Sequence, residues 1–413
     1  MDLAYQLNRS VAESAAPPIP LAAQWASEYT ATATEPPLNL AQGVPKDPPP
    51  KEFLDRLAEA ARDPATTGYG DLRGDIGVRT ELARDVRKVY QGGEEKKDEE
   101  QNLVKVDDVV ITAGCNIAFY STMIALCQSG DEVILPTPWY FNHEMVLRQL
   151  SISLVPLPCS APSFLPSVSL ARSLITSRTK AIVLVSPNNP TGAVYPRELL
   201  KEFAELAIEK GLALELDETY RDFVEGRPHD LFAETEWRKY LIHLFSFSKS
   251  YAIPGHRLGA IVASPTFHRQ LSKTLDCLQI CPARPAQRVV EWAIDGTREW
   301  RAETRRELER RQATSRKLLE DVEGWTVETG SSGYFVYVKH PFEGTPSETV
   351  SKMLASKVGV IALPGTFFSP PFKDVKEDRY IRFSIANVSN DILQQVPSRL
   401  KKLNDIWSTL DLE

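Results

Sequence analysis

Between Ser246 and Gly259 the chain reads Ser246-Phe247-Ser248-Lys249-Ser250-Tyr251-Ala252-Ile253-Pro254-Gly255-His256-Arg257-Leu258-Gly259. A lysine amine that sheds its proton can condense with an aldehyde. A guanidinium offers a planar fork that suits a phosphate. Lys249 stands among small hydroxyl residues, and Arg257 follows eight positions later. The stretch therefore suits a ligand that carries both an aldehyde and a phosphate. The plainer alternative is a surface Lys and Arg beside a Ser-rich turn.

Other stretches argue against that alternative. The run Val109-Val110-Ile111-Thr112 leads through Ala113-Gly114-Cys115-Asn116 into the apolar segment Ile117 to Leu126. A strand, a small-residue turn and a helix start make an anion site from backbone N–H groups and the helix dipole. Gly114, Cys115 and Asn116 are its candidates, with Cys115 a small spacer rather than a nucleophile. A second strand, Ala181 to Val185, runs into Ser186-Pro187-Asn188-Asn189-Pro190-Thr191-Gly192. A third closes on Asp217-Glu218-Thr219-Tyr220. A carboxylate there can pair with a protonated ring nitrogen; capping a helix is its bland role. Near the C-terminus, Tyr380-Ile381-Arg382-Phe383-Ser384 alternates like a strand, with Arg382 free to grip a carboxylate through two hydrogen bonds.

An aldehyde and a phosphate on one ligand describe pyridoxal phosphate (PLP). The succession N-P-T-G, D-x-x-Y and S-x-S-K-x(7)-R resembles the fold-type I PLP enzymes, the aspartate-aminotransferase superfamily of class I and II aminotransferases. The resemblance covers roughly residues 38 to 400. It implies that Lys249 carries the cofactor and moves the substrate's α-proton, and that Ser246, Ser248 and Arg257 hold the phosphate. It implies that Asp217 pairs with the pyridine nitrogen, while Asn189 and Tyr220 bond the phenolic oxygen. An aromatic residue stacks on the ring: Tyr140 by position, with Trp139 or Phe141 as alternatives. Arg382 becomes the α-carboxylate clamp, with Gly43, in Leu38-Asn39-Leu40-Ala41-Gln42-Gly43, beside the substrate and Asn189 near it. Arg379 is left as a surface arginine. In Tyr69-Gly70-Asp71-Leu72-Arg73-Gly74 the resemblance sends Tyr69 to the cofactor phosphate of a neighbouring subunit, so a homodimer with shared active sites is expected.

These residues need elements to position them. Strand-like and helix-like runs alternate between about residues 104 and 290, as in α/β layering around a largely parallel sheet. The candidates follow strands, where ligands bind in such sheets. Helices are expected over Pro196 to Lys210 and Trp300 to Asp321. The expected fold is thus α/β, fold-type I: a largely parallel sheet flanked by helices in a large domain, plus a smaller α/β domain. The boundaries are 1-60 for an N-terminal arm and part of the small domain, 61-296 for the large PLP-binding domain, and 297-413 for the C-terminal small domain. Residues 1 to 37, broken by prolines, read as an arm on a partner or a loose cover. The charged stretch Gly92 to Asn102 reads as a solvated loop.

Composition narrows the function. A net charge of -7 argues against nucleic acid. No apolar run is long enough to span a bilayer. The N-terminus, with Asp2, Arg9 and Glu13, lacks the apolar core of a secretory signal, and the terminal Asp411-Leu412-Glu413 matches no targeting signal. Five scattered cysteines show neither CxxC nor zinc spacing, so no metal and a reducing, cytoplasmic setting are expected. The expected reaction is PLP-dependent transfer of an amino group between an L-amino acid and a 2-oxo acid. Trp139, Tyr140 and Phe141 point toward an apolar or aromatic side chain. Arg284 is not placed as a side-chain carboxylate partner. Relatives with the same motifs also act as aminocyclopropane-carboxylate synthases, carbon–sulfur lyases, decarboxylases, oxidases or cyclases, and a non-catalytic PLP-binding module is the alternative from another class.

Overall fold

The computed structural model describes residues 4–92, 102–328 and 332–410. Most of the expected solvated loop, 93–101, and the terminal tripeptide lie outside the described residues. A seven-stranded sheet forms the centre. Its strands are β1 (Val109–Thr112), β2 (Glu132–Thr137), β3 (Ser153–Pro158), β4 (Thr179–Val185), β5 (Ala213–Asp217), β6 (Leu241–Ser246) and β7 (Gly259–Val262), in the spatial order β1-β7-β6-β5-β4-β2-β3. From β3 to β6 every pairing is parallel, while β7 is antiparallel to both β6 and β1. Helices cover the parallel strands, so these read as continuous apolar runs such as Ile182-Val183-Leu184-Val185.

The direction of β7 matters for the site. Parallel strands deliver functional groups just after their carboxyl ends. An antiparallel strand delivers to that same edge the residues just before it. Gly259 lies opposite both Ser246 at the end of β6 and Thr112 at the end of β1. Arg257, two residues before β7, is thereby set beside the turn that follows β1.

A second sheet is antiparallel, with strands β8 (Thr326–Val327), β9 (Phe335–Lys339), β10 (Leu363–Pro364) and β11 (Tyr380–Ser384) in the order β10-β11-β9-β8. Tyr337 of β9 lies directly opposite Arg382 of β11. This sheet has its own core, including Trp325, Val336, Ile381 and Leu400, separate from the core around the large sheet. Leu38–Asn39 pairs in parallel with Val360–Ile361, which brings the chain just before Gly43 onto the second core. The long helix Arg298–Glu320 contributes Leu308 to a cluster with Tyr220 and Phe335, and Leu319 to the second core.

Part of the N-terminal segment packs on its own chain. The helix Pro18–Trp25 lies on the helix Ser347–Val358, burying Ala22 completely, and the Trp25 ring sits 5.9 Å from Phe367.

Candidate active site

A cavity of about 230 Å³ opens at the carboxyl edge of the large sheet, against the second sheet. Cys115, Asn116, Tyr140, Asn189, Asp217, Tyr220, Ser246, Ser248, Lys249, Arg257, Gly43 and Arg382 all line it. Residues spread over the chain from 43 to 382 thus meet in one space.

One end is an anion cradle. The helix Cys115–Leu126 starts there, and its first N–H groups have no partner within the helix. Gly114, at φ +90°, precedes it; a Cβ there would come within 2.3 Å of an Arg257 nitrogen. A Cβ on Gly259 would lie 2.6 Å from the Cys115 nitrogen. Both glycines let Arg257 and the helix start share one small volume; Gly114, expected beside the phosphate, does not itself line the cavity. Ser246 closes the other side: its hydroxyl accepts from the Ser248 N–H at 3.2 Å and caps the short helix that carries Lys249. Arg257 itself is held at φ +49°, with one nitrogen donating to the Pro254 carbonyl at 2.8 Å. Two serines, an arginine and a helix start could hold a phosphate.

Asp217 ends β5 and is almost fully buried. Burial pushes its carboxyl up, but hydrogen bonding and charge from His143, with donors on Thr219, outweigh it and hold the group below the ordinary range. His143 Nε2 lies 3.3 Å from Asp217 Oδ2, and the Thr219 N–H donates to Oδ1 at 2.9 Å. His143 is itself stacked on Phe119 at 4.0 Å. The next residue, Glu218, faces the opposite way, with His243 Nε2 at 2.9 Å and His229 Nε2 at 3.2 Å. The strand alternation thus separates a carboxylate aimed into the cavity from one committed to the structure behind it.

Lys249 sits between the two sheets. Burial, then the charges of Arg382 and Arg257, brings its amine down to about 8. Nζ donates to the Gly43 carbonyl at 2.6 Å, and Tyr334 Oη donates to the Lys249 carbonyl at 2.9 Å, fixing its backbone. About a tenth of such an amine is unprotonated at pH 7, far more than for an ordinary lysine, and a nucleophile or base needs that neutral form.

Arg382 forms the far wall. Nη1 donates to Asn189 Oδ1 at 2.9 Å and Nη2 donates to the Ala41 carbonyl. The guanidinium lies 4.3 Å from the Phe335 ring centre and 5.2 Å from that of Phe368. A Cβ on Gly43 would approach the Phe335 ring to 2.6 Å, so this glycine permits the close packing. Tyr220 sits beside Phe335, ring centres 5.7 Å apart.

Some expected residues fall elsewhere. Of the three aromatics after β2, Tyr140 and Phe141 line the cavity. Trp139 is buried in the core, and its backbone N–H donates to the Phe368 carbonyl at 2.7 Å. Tyr69 is 80% exposed and outside its own chain's cavity. Arg284 is held by Asp75 at 3.2 Å beside the Gly70 loop, and Arg379 pairs with Glu343 at 3.0 Å. Sequence reasoning missed His143, Thr219, Phe335 and Ile19, all of which line the cavity. His143 stands one helical turn after Tyr140, a spacing that could have flagged it. Ile19 carried no signal.

Among the described residues no cluster of three or more His, Cys, Asp or Glu could hold a metal, and no helix is long and apolar enough to cross a membrane. The five cysteines are unpaired.

A largely parallel sheet with Lys249, Arg257 and the buried carboxylate of Asp217 gathered at its carboxyl edge is the arrangement expected of a fold-type I PLP enzyme. Solved structures share the architecture. An N-succinyldiaminopimelate aminotransferase from Mycobacterium tuberculosis superimposes with a TM-score of 0.85 at 24% identity, covering 96% of this chain and all of that one. Aspartate aminotransferase from Thermus thermophilus with maleate gives 0.85 at 24%, covering 97% of this chain and all of the other. In sequence, the chain is 29% identical to an aromatic aminotransferase of Arabidopsis thaliana over 373 residues, 89% of each chain. It is 26% identical to an aspartate aminotransferase of Sulfurisphaera tokodaii over 368 residues, 86% of this chain and 87% of the relative. The family model for aminotransferase class I and II matches residues 35–400. The chain belongs to that family and is a PLP-dependent aminotransferase.

Proposed function

We propose that the enzyme binds PLP in this cavity and moves an amino group between an L-amino acid with an apolar or aromatic side chain and a 2-oxo acid. The observation that carries the reading is the convergence, in one cavity, of an amine tuned to about 8 and a buried carboxylate held ionised. When bound, PLP supplies an aldehyde that captures the substrate amine and a ring that withdraws electrons. Ser246, Ser248, Arg257 and the turn Gly114-Cys115-Asn116 hold its phosphate. Asp217, fixed by His143, stays ionised to pair with a protonated ring nitrogen. Asn189 already accepts from Arg382 through its oxygen, so its amide nitrogen is the donor left for the phenolic oxygen, together with Tyr220. Tyr140 packs against the ring. Lys249 Nζ would take the α-proton of the substrate and deliver it to the former aldehyde carbon of the cofactor, two positions along, so that the proton lost at one carbon is gained at the other. Arg382 grips the α-carboxylate, beside Gly43.

Substrate class follows from the remaining lining. Ile19, Val44 and Phe141 are apolar, and the arginines that line the cavity are Arg257 and Arg382. Both have assigned partners, and Arg284 is engaged by Asp75. A screen of amino acids by spectral conversion of the bound cofactor, with product masses measured, tests the proposal. Phenylalanine, tyrosine and leucine should convert the cofactor and yield their 2-oxo acids. Elimination or decarboxylation products, or a preference for aspartate, would overturn it.

The assembly is proposed to be a cytoplasmic homodimer, with the domain boundaries given above. Its support is the 80% exposure of Tyr69 in a loop pinned by Arg284, which leaves the side chain available to a partner's phosphate cradle. Tyr69→Phe should weaken cofactor retention by about 1–3 kcal/mol, one hydrogen bond to a charged acceptor. Lys249→Ala and Tyr69→Ala chains, each poorly active alone, should regain activity when allowed to exchange subunits. Hybrids no more active than their parents would remove Tyr69 from the shared site.

A further inference from the structure

After β3, the loop 159–167 carries one residue that nothing so far explains. Phe164 adopts φ +49°, a conformation uncommon for a bulky side chain, yet it is only 6% exposed. A strained residue of this kind persists where its surroundings hold it in place. Here the surroundings belong to the other sheet. The Phe164 ring meets Tyr337 of β9 edge-on, centres 5.7 Å apart at 79°, and Tyr380 of β11 at 5.4 Å and 88°. Those two tyrosines are stacked on each other, 5.0 Å apart and within 10° of parallel.

Both tyrosines share a sheet face with Arg382. Tyr337 is its directly opposed cross-strand partner, and Tyr380 precedes it by two residues. The tyrosine pair is held from other sides too. Tyr380 Oη donates to Glu328, and a Cβ on Gly365 would lie 2.9 Å from Tyr337 Oη. On its other flank Arg382 rests on Phe335. Phe164 thus packs on the tyrosine pair, and the pair sits on the same strands and sheet face as Arg382, whose guanidinium rests on Phe335 and Phe368.

We infer that Phe164 is a positioning residue for Arg382, a wedge from the large sheet that sets where β9 and β11 present the guanidinium to a substrate carboxylate. The inference rests on the proposed carboxylate role of Arg382. Phe164 does not line the cavity, so its loss should act on carboxylate recognition and leave the rest of the site unchanged.

The test uses the full chain loaded with PLP and two probes, 3-phenylpropionate and 3-phenylpropionamide. They match in shape, and only the first carries a carboxylate. Their affinities are measured by calorimetry, so the readout does not depend on turnover. Phe164→Gly removes the ring and accepts the positive φ without strain, and Phe164→Tyr keeps the ring. Wild type should prefer the acid. Phe164→Gly should lose about tenfold in affinity for the acid, with the amide unchanged, and Phe164→Tyr should restore the preference. In parallel, Phe164→Gly should raise KM for the amino acid with kcat nearly kept. If Phe164→Gly weakens acid and amide alike, or neither, the inference is overturned. If wild type shows no preference for the acid, the carboxylate role of Arg382 fails and the inference falls with it.

Discussion

Lys249→Ala should lose turnover by about 10⁴-fold or more, because in the proposed reaction one substitution would remove both the nucleophilic amine and the proton carrier. The cradle of Ser246, Ser248, Arg257 and the Cys115 helix start does not involve the Lys249 side chain, so the variant should still retain PLP through its phosphate. Borohydride treatment of the wild type should place the cofactor mass on the peptide containing Lys249. An adduct elsewhere, or normal turnover by the variant, would refute the central assignment. The cofactor-free chain offers a second reading of the same lysine. Its folded value of about 8 lies below the ordinary 10.5. Between those values the folded chain binds fewer protons than the unfolded one, so this lysine's contribution to stability improves as pH rises through the window. Below about pH 8 its full cost is present, roughly 3 kcal/mol. Cofactor-free Lys249→Met should therefore melt above wild type at pH 7, and the gap should close toward pH 10.5. A gap independent of pH would show that burial does not hold this amine below the ordinary lysine range.

Asp217→Ala should lower kcat by roughly 10²–10³-fold, the loss typical when one preorganised electrostatic partner is removed. Cofactor occupancy should change far less, because the charge matters most as electrons leave the substrate's α-carbon for the ring. His143 makes the design of the control important. It is buried against Phe119, and removing Asp217 strips its Nε2 of a partner 3.3 Å away. Asp217→Asn keeps a polar partner of the same shape but removes the negative charge. Both variants should show similar losses in kcat if charge is what matters. Near-normal turnover in Asp217→Asn would assign the residue to positioning His143 instead.

Much of this was legible along the chain because it is local. Val109–Thr112, Ala181–Val185 and Leu241–Phe245 announce themselves as strands because sheet residues covered on both faces must be apolar. The Ser246 cap, the Gly114 turn and the Asn189-Pro190-Thr191-Gly192 run depend on neighbours a few residues away, which the order of amino acids specifies directly. The alternation of Asp217 and Glu218 follows from the two-residue period of a strand. It did not say which of the two faced the cavity; the family motif supplied that.

What depended on distant contacts was not legible. No spacing pairs His143 with Asp217, since β2 and β5 are brought near each other only by the order of strands in the sheet. That Trp139 is buried in the core while Tyr140 and Phe141 line the cavity depended on the packing of residues far along the chain, such as Phe368. Ile19 reaches the cavity because the helix Pro18–Trp25 packs on distant parts of the chain, with Ala22 buried beside Ala41, Ile361, Leu363 and Phe368. The short linear pattern around Lys249 names the chemistry, because capping and turn geometry act over a few residues. The antiparallel return of β7, the wedge of Phe164 and the wall of Arg382 arise from long-range packing, where burial of apolar surface selects among partners that no local rule distinguishes.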